Sequence, residues 1–473
     1  MPLRAKIIGA EASSRAQMST KIPKEFKERP SDDPDDVLFN SLYGLRTIQL
    51  NRPQKLNSLN GSMIRKILPR LVEWEKSDMA NVVVMKGSGD KAFCAGGDVA
   101  ELAKWNQEHE NGWKRSADYF ALEYKLDHYI ATYTKPYVAF MDGITMGGGV
   151  GLSVHAPFRV ATERTVFAMP ETTIGFFPDV GASFFLPKMP GAVGTYLALT
   201  SERLKGANVF YSGVATHYLH STSLPQLESR LAEIRFDDRD SIAKRLQIIN
   251  ATLEEYATGL PHDEPIHIAG ELRQAVDRCF SRSNVNDIIA ALKKEEGATK
   301  EWAEKTLDTL HKRSPTAVNV ALRQMRIGSG WSIAETFKRE HQMATKFMQH
   351  HDFTEGVSAL LIRKPKEDPK WQPATLEDIT PEMQVADPFF ATDGEELELL
   401  NDRDYDAYPY AYLGLPTEEE VKKVVREGVH TPNQVVKKVT ASRNDRQGVE
   451  TVVREILERK VAVNDKGRAA WAQ

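Results

Sequence analysis

Two glycine-rich segments are the parts of the sequence best suited to hold an oxygen atom that gains negative charge. Residues 91–98 read KAFCAGGD and residues 143–151 read GITMGGGVG, and each contains or follows a short apolar run. Glycine lets backbone N–H groups approach a ligand without a side chain in the way. Two such segments about fifty residues apart can each supply one amide to an oxyanion hole, although a single glycine run is more often a turn or a packing site.

The same segments do not fit the common patterns for binding a nucleotide phosphate. Neither matches GxGxxG with a suitably placed acidic residue, and neither continues into Gly-Lys-Ser/Thr. His155 and His217 lack the spacing of a helical metal-binding pair, so we expect no metal site. Cys94 has no indicated base nearby, and we expect it to be a small packed side chain rather than a nucleophile.

The chain around these segments alternates apolar runs with amphipathic stretches. Apolar side chains recur at three- and four-residue spacing in residues 60–76, which predicts a helix. The predicted strands are residues 37–42, 45–51, 82–86, 137–141 and 158–162. The first two flank Tyr43-Gly44 and predict a β-hairpin. Such alternation predicts an α/β domain with a mixed or parallel sheet and crossover helices, followed by a mostly helical stretch from 204 to 363.

The composition fits a large globular protein. The 473 residues are 41% hydrophobic and 27% charged, with a net charge of −4. These values exclude an intrinsically disordered chain, a collagen-like chain and a protein that binds nucleic acid over its whole surface. Two cysteines are too few for a disulfide framework and favour a reducing compartment. The longest apolar stretch, residues 138–156, contains Asp142, His155 and five glycines, so no membrane span is predicted.

The N-terminal 36 residues differ from the rest of the chain. Residues 1–22 contain four bases, one acid and several serines. This composition is typical of a mitochondrial targeting segment, although a frayed terminus is the alternative. Residues 24–36 mix charges with prolines and predict a linker. We therefore assign residues 1–36 to a targeting segment and linker.

The last hundred residues have a distinct charge pattern. Residues 381–420 carry twelve acids and one base, and residues 421–473 carry twelve bases and six acids. The basic part also has helix signals, since Thr417 and Glu420 form a capping box and a Thr-Pro pair opens a second helix. We predict a helical, acidic-then-basic C-terminal extension at residues 376–473 rather than a disordered tail.

Five segments, in their order and spacing, resemble the crotonase superfamily. They read FCAGGD, ITMGGGVGLSVH, FRVAT, FAMPET and GFFPDVG. Within the superfamily the chain is most similar to the 3-hydroxyisobutyryl-CoA hydrolase branch, and the similarity covers about residues 37–374. The resemblance implies a spiral core of ββα turns at residues 37–220 and a mostly helical region at residues 221–375 that completes the hydrolase.

The resemblance also implies roles for individual residues. Members of the superfamily bind acyl-CoA thioesters and stabilise an oxyanion with two backbone amides, which fall here at Gly97 and Gly148. In the hydrolase branch Glu171 acts on the thioester carbonyl, Asp179 accepts a hydrogen bond from the 3-hydroxyl, and Glu123 lines the acyl pocket. The residues that the superfamily places near the adenine and phosphates of CoA are Arg52, Lys55 and Leu56.

Position 151 separates the branches of the superfamily. The hydratase branch has a glutamate three residues after the second oxyanion-hole glycine, and this chain has Gly151 there. An enoyl-CoA hydratase or isomerase is therefore a weaker alternative.

Glu171 acts either as a nucleophile through a mixed anhydride or as a base for water, and both routes stay open. Without the resemblance, Glu171 and Asp179 are also plausible helix-capping residues. No cofactor is implied, since CoA enters as part of the substrate.

The hydrolase resemblance does not explain the C-terminal extension. Homologues of the hydrolase have been recruited as a small-subunit protein of some mitochondrial ribosomes, particularly fungal-like ones. The extension of this chain, with YPYAYLGLPTEEE (residues 408–420), resembles such proteins in its general layout. This implies small-subunit proteins and rRNA as partners through residues 421–473, because lysine and arginine release counterions from phosphate. A solvated tail is the alternative. Two compatible hypotheses follow: a thioesterase of valine degradation in the mitochondrial matrix, and a structural component of the mitochondrial ribosome.

Overall fold

The computed structural model describes residues 22–261, 264–380 and 383–472. The targeting segment predicted from residues 1–22 lies, except for Ile22, outside the described residues. The predicted linker contains one short 3-10 turn at Lys24–Phe26, and the Phe26 side chain is buried in the core. Within the described ranges, no helix has the length and apolar character needed to cross a membrane.

The strands of the described residues form three sheets. In chain order they are β1 (Val37–Leu42), β2 (Leu45–Leu50), β3 (Val82–Gly87), β4 (Ala92–Cys94), β5 (Tyr137–Met141), β6 (Ile144–Met146), β7 (Phe158–Ala161), β8 (Val166–Ala168), β9 (Leu204–Lys205), β10 (His217–Tyr218), β11 (Val461–Val463) and β12 (Ala469–Trp471). The large sheet has the order β1-β2-β3-β5-β7-β10, a second sheet has the order β4-β6-β8-β9, and β11 pairs with β12.

The large sheet is mixed, as the alternation of the sequence predicts. Strands β1 and β2 form an antiparallel hairpin around Tyr43, which has a positive φ of 49°, and the other neighbours in this sheet are parallel. In the register of the central strands, Val84 lies between Thr47 and Val138. Strand β3 is apolar on both faces because helices cover the sheet on each side.

The described residues contain more helices than strands, and after β10 no strand interrupts the helices until β11. In chain order they are α1 (Gly61–Lys76), α2 (Val99–Glu108), α3 (Gly112–Ala131), α4 (Gly148–Val154), α5 (Ala182–Phe185), α6 (Val193–Thr200), α7 (Ala207–Tyr211), α8 (Leu224–Glu233), α9 (Ile242–Tyr256), α10 (Gly270–Phe280), α11 (Val285–Leu292), α12 (Lys300–His311), α13 (Pro315–Ile327), α14 (Ile333–Gln349), α15 (His351–Val357), α16 (Asp387–Phe390), α17 (Glu418–Arg426), α18 (Pro432–Ser442) and α19 (Val449–Lys460). Strands alternate with α1 to α7, and α8 to α15 follow as helices, so the predicted α/β class with a helical region is confirmed.

Helix α3 connects the two parts of the chain. It packs against α1 and α2 from the strand-rich part and against α14 from the helical region. Because it is enclosed on several sides, polar residues such as Glu123 and Asp127 are buried together with its apolar ones. A helix of this kind places ionisable groups inside the protein, where such groups are rare unless they are paired.

The C-terminal extension completes the apolar core instead of forming a separate unit. Thr417 and Glu420 form the predicted capping box at the start of α17. The apolar sides of α17, α18 and α19 belong to the same buried cluster as the sheets. Arg446, between α18 and α19, donates hydrogen bonds to the backbone carbonyls of Leu413 and Thr216 and forms an ion pair with Glu254. These contacts attach the extension to α9 and to the residue that precedes β10.

Replacing Leu457 by alanine tests whether the extension belongs to the folding unit. Leu457 is buried on the inner side of α19, and removing a buried leucine side chain typically costs about 2–5 kcal/mol. We expect the free energy of unfolding of the whole protein to fall by about that amount in a single cooperative transition, measured by urea denaturation. The control, Val463→Ala on the exposed strand β11, should change it by less than about 0.5 kcal/mol. A separate early transition confined to the extension would contradict the prediction.

Candidate active site

The two predicted amide donors lie side by side. Strands β4 and β6 are parallel neighbours in the second sheet, with Cys94 opposite Thr145. The segments that leave their carboxyl ends therefore meet at one edge of the sheet, which is where α/β proteins commonly bind ligands. A methyl group built on Gly148 would lie 3.3 Å from the Gly97 nitrogen, so these two residues are in contact.

Neither amide is used by the fold. Gly148 is the first residue of α4, where an N–H has no partner within the helix. Across residues 22–261, 264–380 and 383–472, neither the Gly97 N–H nor the Gly148 N–H donates a hydrogen bond to another protein group. Gly147, which precedes Gly148, has a φ of 46° and a ψ of −123°, a conformation that favours glycine. Two adjacent amides without protein acceptors are the donor pair that an oxyanion hole requires.

Glu171 lies beside this pair of amides. It begins the 3-10 turn Glu171–Ile174, just after β8, and β8 pairs with β6. A methyl group built on Gly147 would lie 3.1 Å from Glu171 Oε1. The side chain is buried, and its Oε2 atom has no hydrogen-bond partner among the described residues. The Oε2 atom is therefore free to contact a substrate.

Glu123 and Asp179 complete the predicted set. Glu123 extends from α3, and a methyl group on Gly148 would lie 2.4 Å from its Oε1. Asp179 accepts a hydrogen bond of 2.7 Å from the Tyr124 hydroxyl, and Tyr124 also lies on α3. The structure thus brings all five predicted catalytic and acyl-pocket residues to one place.

Burial controls the charge state of these carboxyls. It raises the pKa of Glu171 well above its usual range, and the neighbouring Asp179 charge raises it further. Burial and the Asp179 charge do the same to the pKa of Glu123. Burial raises the pKa of Asp179 to about 7, although its hydrogen bond from Tyr124 favours the ionised form. Carboxyls whose pKa values are raised by burial and by one another are suited to acid–base catalysis.

Two further buried carboxyls belong to this cluster and were not predicted. Asp127 lies one turn after Glu123 on α3, and both of its carboxyl oxygens lack a hydrogen-bond partner in the described chain. A methyl group on Gly151 would lie 2.5 Å from Asp127 Oδ2, so Asp127 occupies the space beside the position where hydratases carry a glutamate. Its spacing of four residues from Glu123 was a usable signal.

Glu340 is the other carboxyl that the sequence did not reveal. It lies on α14 and accepts hydrogen bonds from the backbone amides of Gly181 (2.7 Å) and Ser183 (2.9 Å). It thereby holds the segment that follows Asp179. Burial raises the pKa of Glu340 to about 8. No local pattern links Glu340 to the site, because the contact depends on how α14 packs against α3.

The three residues predicted to contact CoA lie in and beside the 3-10 turn that follows β2, Pro53–Lys55, close to Asp98. Arg52 and Lys55 both pair with Asp98, at 2.9 and 3.1 Å, and Asp98 directly follows Gly97. Leu56 adopts a positive φ of 51°, and its carbonyl accepts the Ala95 amide. The structure therefore places them beside the site, while their contact with CoA stays a prediction.

The described residues contain no group of three or more His, Cys, Asp or Glu side chains arranged to hold a metal ion. Cys94 is buried, as expected of a packed side chain, and burial raises the pKa of its thiol to about 12. His155 is also buried, with its Nε2 atom 2.9 Å from the Val180 carbonyl oxygen. The chemistry that these residues can perform is therefore stabilisation of an oxyanion combined with proton transfer or nucleophilic attack by a carboxyl group.

Comparison with known proteins shows which sequences this chain is similar to. The sequence model of a family described as enoyl-CoA hydratase/isomerase matches residues 45–390. The small ribosomal subunit protein mS47 of Neurospora crassa is 59% identical over 99% of this chain and 93% of its own length. The mitochondrial 3-hydroxyisobutyryl-CoA hydrolase of Gallus gallus is 43% identical over 74% of this chain and 88% of its own length.

A solved structure shows the same fold. The crystal structure of a carnitinyl-CoA dehydratase from Mycobacterium thermoresistibile is 34% identical, with a TM-score of 0.67, and covers 77% of this chain and 98% of that one. The predicted crotonase-like fold is therefore confirmed. The predicted mitochondrial location agrees with the names of the hydrolase relatives, which are described as mitochondrial.

Replacing Asp127 by asparagine should weaken the pH dependence of stability above about pH 6.5. Carboxyls of the unfolded chain ionise near pH 4, whereas the pKa values of Asp179 and Glu340 are about 7 and 8 in the folded protein. The folded state therefore binds more protons, and the free energy of unfolding falls as pH rises from about 6.5 to 8. Burial, followed by the charge of Glu123, raises the pKa of Asp127 and adds to this effect. Urea denaturation across the window measures the slope.

Buried histidines set the lower limit of the pH range in which this fall in stability is expected. Burial lowers the pKa values of His128, His155, His217 and His341 to about 4. These groups act in the opposite direction, since they make stability rise with pH until unfolded histidines lose their protons near pH 6.5. Asp308→Asn, at an exposed position of α12, is the control and should leave the slope unchanged. If stability falls with pH as steeply in Asp127→Asn as in the unmodified protein, the carboxyl cluster is not the cause of the pH dependence.

Proposed function

Because this chain belongs to the enoyl-CoA hydratase/isomerase family, we propose that it hydrolyses an acyl-CoA thioester, with 3-hydroxyisobutyryl-CoA as the substrate. The observation that carries the proposal is the position of the Glu171 carboxyl beside the free amides of Gly97 and Gly148. The similarity to a hydrolase of this name supports the choice of substrate. The products are CoA and the free 3-hydroxy acid.

The amide pair serves the thioester carbonyl. When the carbonyl carbon is attacked, its oxygen gains negative charge, and the two N–H groups donate to it without any need to reorganise. Each donor of this kind is worth about 2.7–4 kcal/mol in enzymes where one has been removed. The carbon–sulfur bond then breaks, the CoA thiolate leaves and takes up a proton, and the carbonyl re-forms.

Glu171 supplies the attack by one of two routes. Its carboxylate attacks the carbonyl carbon to give a mixed anhydride that water cleaves, or it removes a proton from a water molecule that attacks directly. Either route requires the ionised form, and a carboxylate with a raised pKa is a stronger base once formed. Asp179, whose pKa is about 7, is suited to accept a hydrogen bond from the substrate hydroxyl. It can also share one proton with the Glu171 carboxyl.

A hydratase or isomerase is the alternative within the family. Concerted addition of water to a double bond in the hydratase branch uses two glutamates, and here Gly151 replaces one of them. Asp127 lies against Gly151, but it reaches that space from α3 and not from α4. We therefore favour hydrolysis over hydration.

Replacing Glu171 by glutamine should lower kcat for 3-hydroxyisobutyryl-CoA hydrolysis by about 10²–10⁴-fold, because the amide is neither a base nor a nucleophile. Release of the CoA thiol, followed with a thiol reagent, measures the rate. The matched control is Glu301→Gln, which changes an exposed glutamate on α12 and should leave the rate unchanged. Full activity of Glu171→Gln, or hydration of crotonyl-CoA by the unmodified protein, would argue against the hydrolase assignment.

A second proposed function is association with the small subunit of the mitochondrial ribosome. The similarity to the Neurospora crassa ribosomal protein runs through the C-terminal extension, whereas the hydrolase relative from Gallus gallus covers 74% of the chain. This function does not compete with hydrolysis, because the extension adds to the fold and leaves the candidate active site intact.

The exposed bases of the extension are the candidate contacts with rRNA. Several bases there are neutralised within the chain, such as Lys438 by Glu427, and Arg446 and Arg459 are buried. The bases that are exposed and form no ion pair within the described residues are Lys423, Arg426, Lys437 and Lys466. Phosphate contacts by such side chains release counterions and depend strongly on salt.

Changing these four bases to glutamate should abolish co-sedimentation with small ribosomal subunits while the protein stays folded, because all four are exposed. Binding of the unmodified protein should weaken steeply between about 50 and 200 mM salt. The control exchanges two exposed lysines of α12, Lys305 and Lys312, for glutamate. Loss of binding in the control as well, or salt-independent binding, would contradict an rRNA contact through the extension.

A further inference from the structure

A cavity of about 260 Å³ lies between the extension and the rest of the protein. The residues of the candidate active site do not line it. Its wall on one side comes from α4, α5 and the segment after α5, and on the other side from the start of α17 and from α19. This volume is close to the lower end of small-molecule sites, which range from about 300 to 1,000 Å³.

Most of the cavity wall is apolar. The apolar side chains that line it include Phe184, Phe185, Met189, Leu415, Val452 and Ile456. Protein interiors are packed closely enough that few voids larger than a water molecule remain. A space of this size, lined by side chains from two parts of the chain, is suited to the apolar body of a ligand.

The charged groups on the wall favour an anion. The basic residues that line the cavity are Arg159, Lys188, Arg273 and Arg459, and the acidic ones are Glu418 and Glu455. Arg459 pairs with both glutamates, at 2.6 and 2.9 Å. Arg159 donates to backbone carbonyls and to the Tyr408 hydroxyl, and it forms no ion pair in the described chain.

Lys188 is the second base that no carboxylate pairs with. It lies over the Phe184 ring, 3.4 Å from the centroid, and donates to the Phe184 carbonyl. The charge of Asp406 acts on it from outside the cavity wall. The lining therefore has two more bases than acids, and one of its bases, Arg273, also pairs with Asp277 at 3.1 Å.

Two buried guanidinium nitrogens on this wall also lack acceptors. Arg459 Nη1 and Arg273 Nη2 have no hydrogen-bond partner among the described residues. Arg273 Nη2 lies 3.2 Å from Glu418 Oε1, but the contact lacks hydrogen-bond geometry. Buried donors of this kind are rarely left unused in proteins. An oxygen of a bound molecule would satisfy them.

We propose that this cavity binds a small amphipathic carboxylate, with its alkyl chain along the phenylalanine and isoleucine side chains and its carboxylate among the basic groups. The site is separate from the candidate active site and does not depend on either proposed function. Because its walls come from the extension and from the preceding fold, an occupied cavity would hold the two together and raise the stability of the whole protein.

Octanoate and the full-length protein test the proposal. We expect octanoate to bind in calorimetry and to raise the Tm, while 1-octanol, which lacks the charge, binds about tenfold more weakly or less. Val452→Phe fills the cavity, and Lys188→Gln removes an unpaired base; each should weaken octanoate binding by about tenfold or more. The matched control is Arg454→Gln, an exposed arginine of α19 that lies outside the cavity, and it should bind as the unmodified protein does.

Three results would overturn the proposal. The first is no detectable octanoate binding at millimolar concentration. The second is equal binding by the unmodified protein, Val452→Phe and Lys188→Gln, which would place octanoate elsewhere, such as the acyl site. The third is equal affinity for octanoate and 1-octanol, which would show an apolar cavity without carboxylate recognition. If Val452→Phe fails to fold by circular dichroism, Lys188→Gln, which changes an exposed residue at the cavity wall, decides between these outcomes.

Discussion

The main constraint on the structure is that it holds five carboxyl groups together in its interior, with no lysine or arginine of the described residues paired to them. No lysine or arginine of the described chain forms an ion pair with Glu123, Asp127, Glu171, Asp179 or Glu340. Neighbouring carboxyl groups that are buried away from water cannot all be ionised at once. Bound protons therefore neutralise some of them, as a cation would in a salt bridge. Such an arrangement opposes folding at neutral pH, and groups with perturbed pKa values of this kind are common at functional sites of proteins.

Holding this cluster requires contacts between distant parts of the chain. Helix α3 supplies Glu123, Asp127 and the hydroxyl of Tyr124, which donates to Asp179. Glu340 reaches in from α14 and binds two backbone amides after Asp179. The amide pair comes from the edge of the second sheet. The packing of α3 against α14 therefore sets the relative positions of the carboxyls, and the helical region is as much a part of the site as the sheets are.

Local patterns predicted much of this arrangement, and contacts between distant segments were the part they missed. The hairpin at Tyr43, the helix after Asn60 and the capping box at Thr417 each depend on neighbouring residues, and the structure contains all three. The segments that carry Gly97, Gly148 and Glu171 are also short and recognisable, so their meeting was expected. Asp127 was within reach of a helical-spacing argument, but Glu340 was not, because no sequence pattern reports how α14 lies on α3. The roles of all these residues in catalysis remain predictions.

The anchoring of Arg446 has a consequence for how the chain is made. Synthesis runs from the N-terminus, and β10, α9 and the wall around Phe184 are complete long before residues 446–457 exist. Until those residues leave the ribosome that makes the protein, the apolar surface they cover is exposed to water and to other nascent chains. Residues 446–457 therefore cover an apolar surface that is complete before they are made, and we expect a product terminated before them to aggregate or to depend on chaperones.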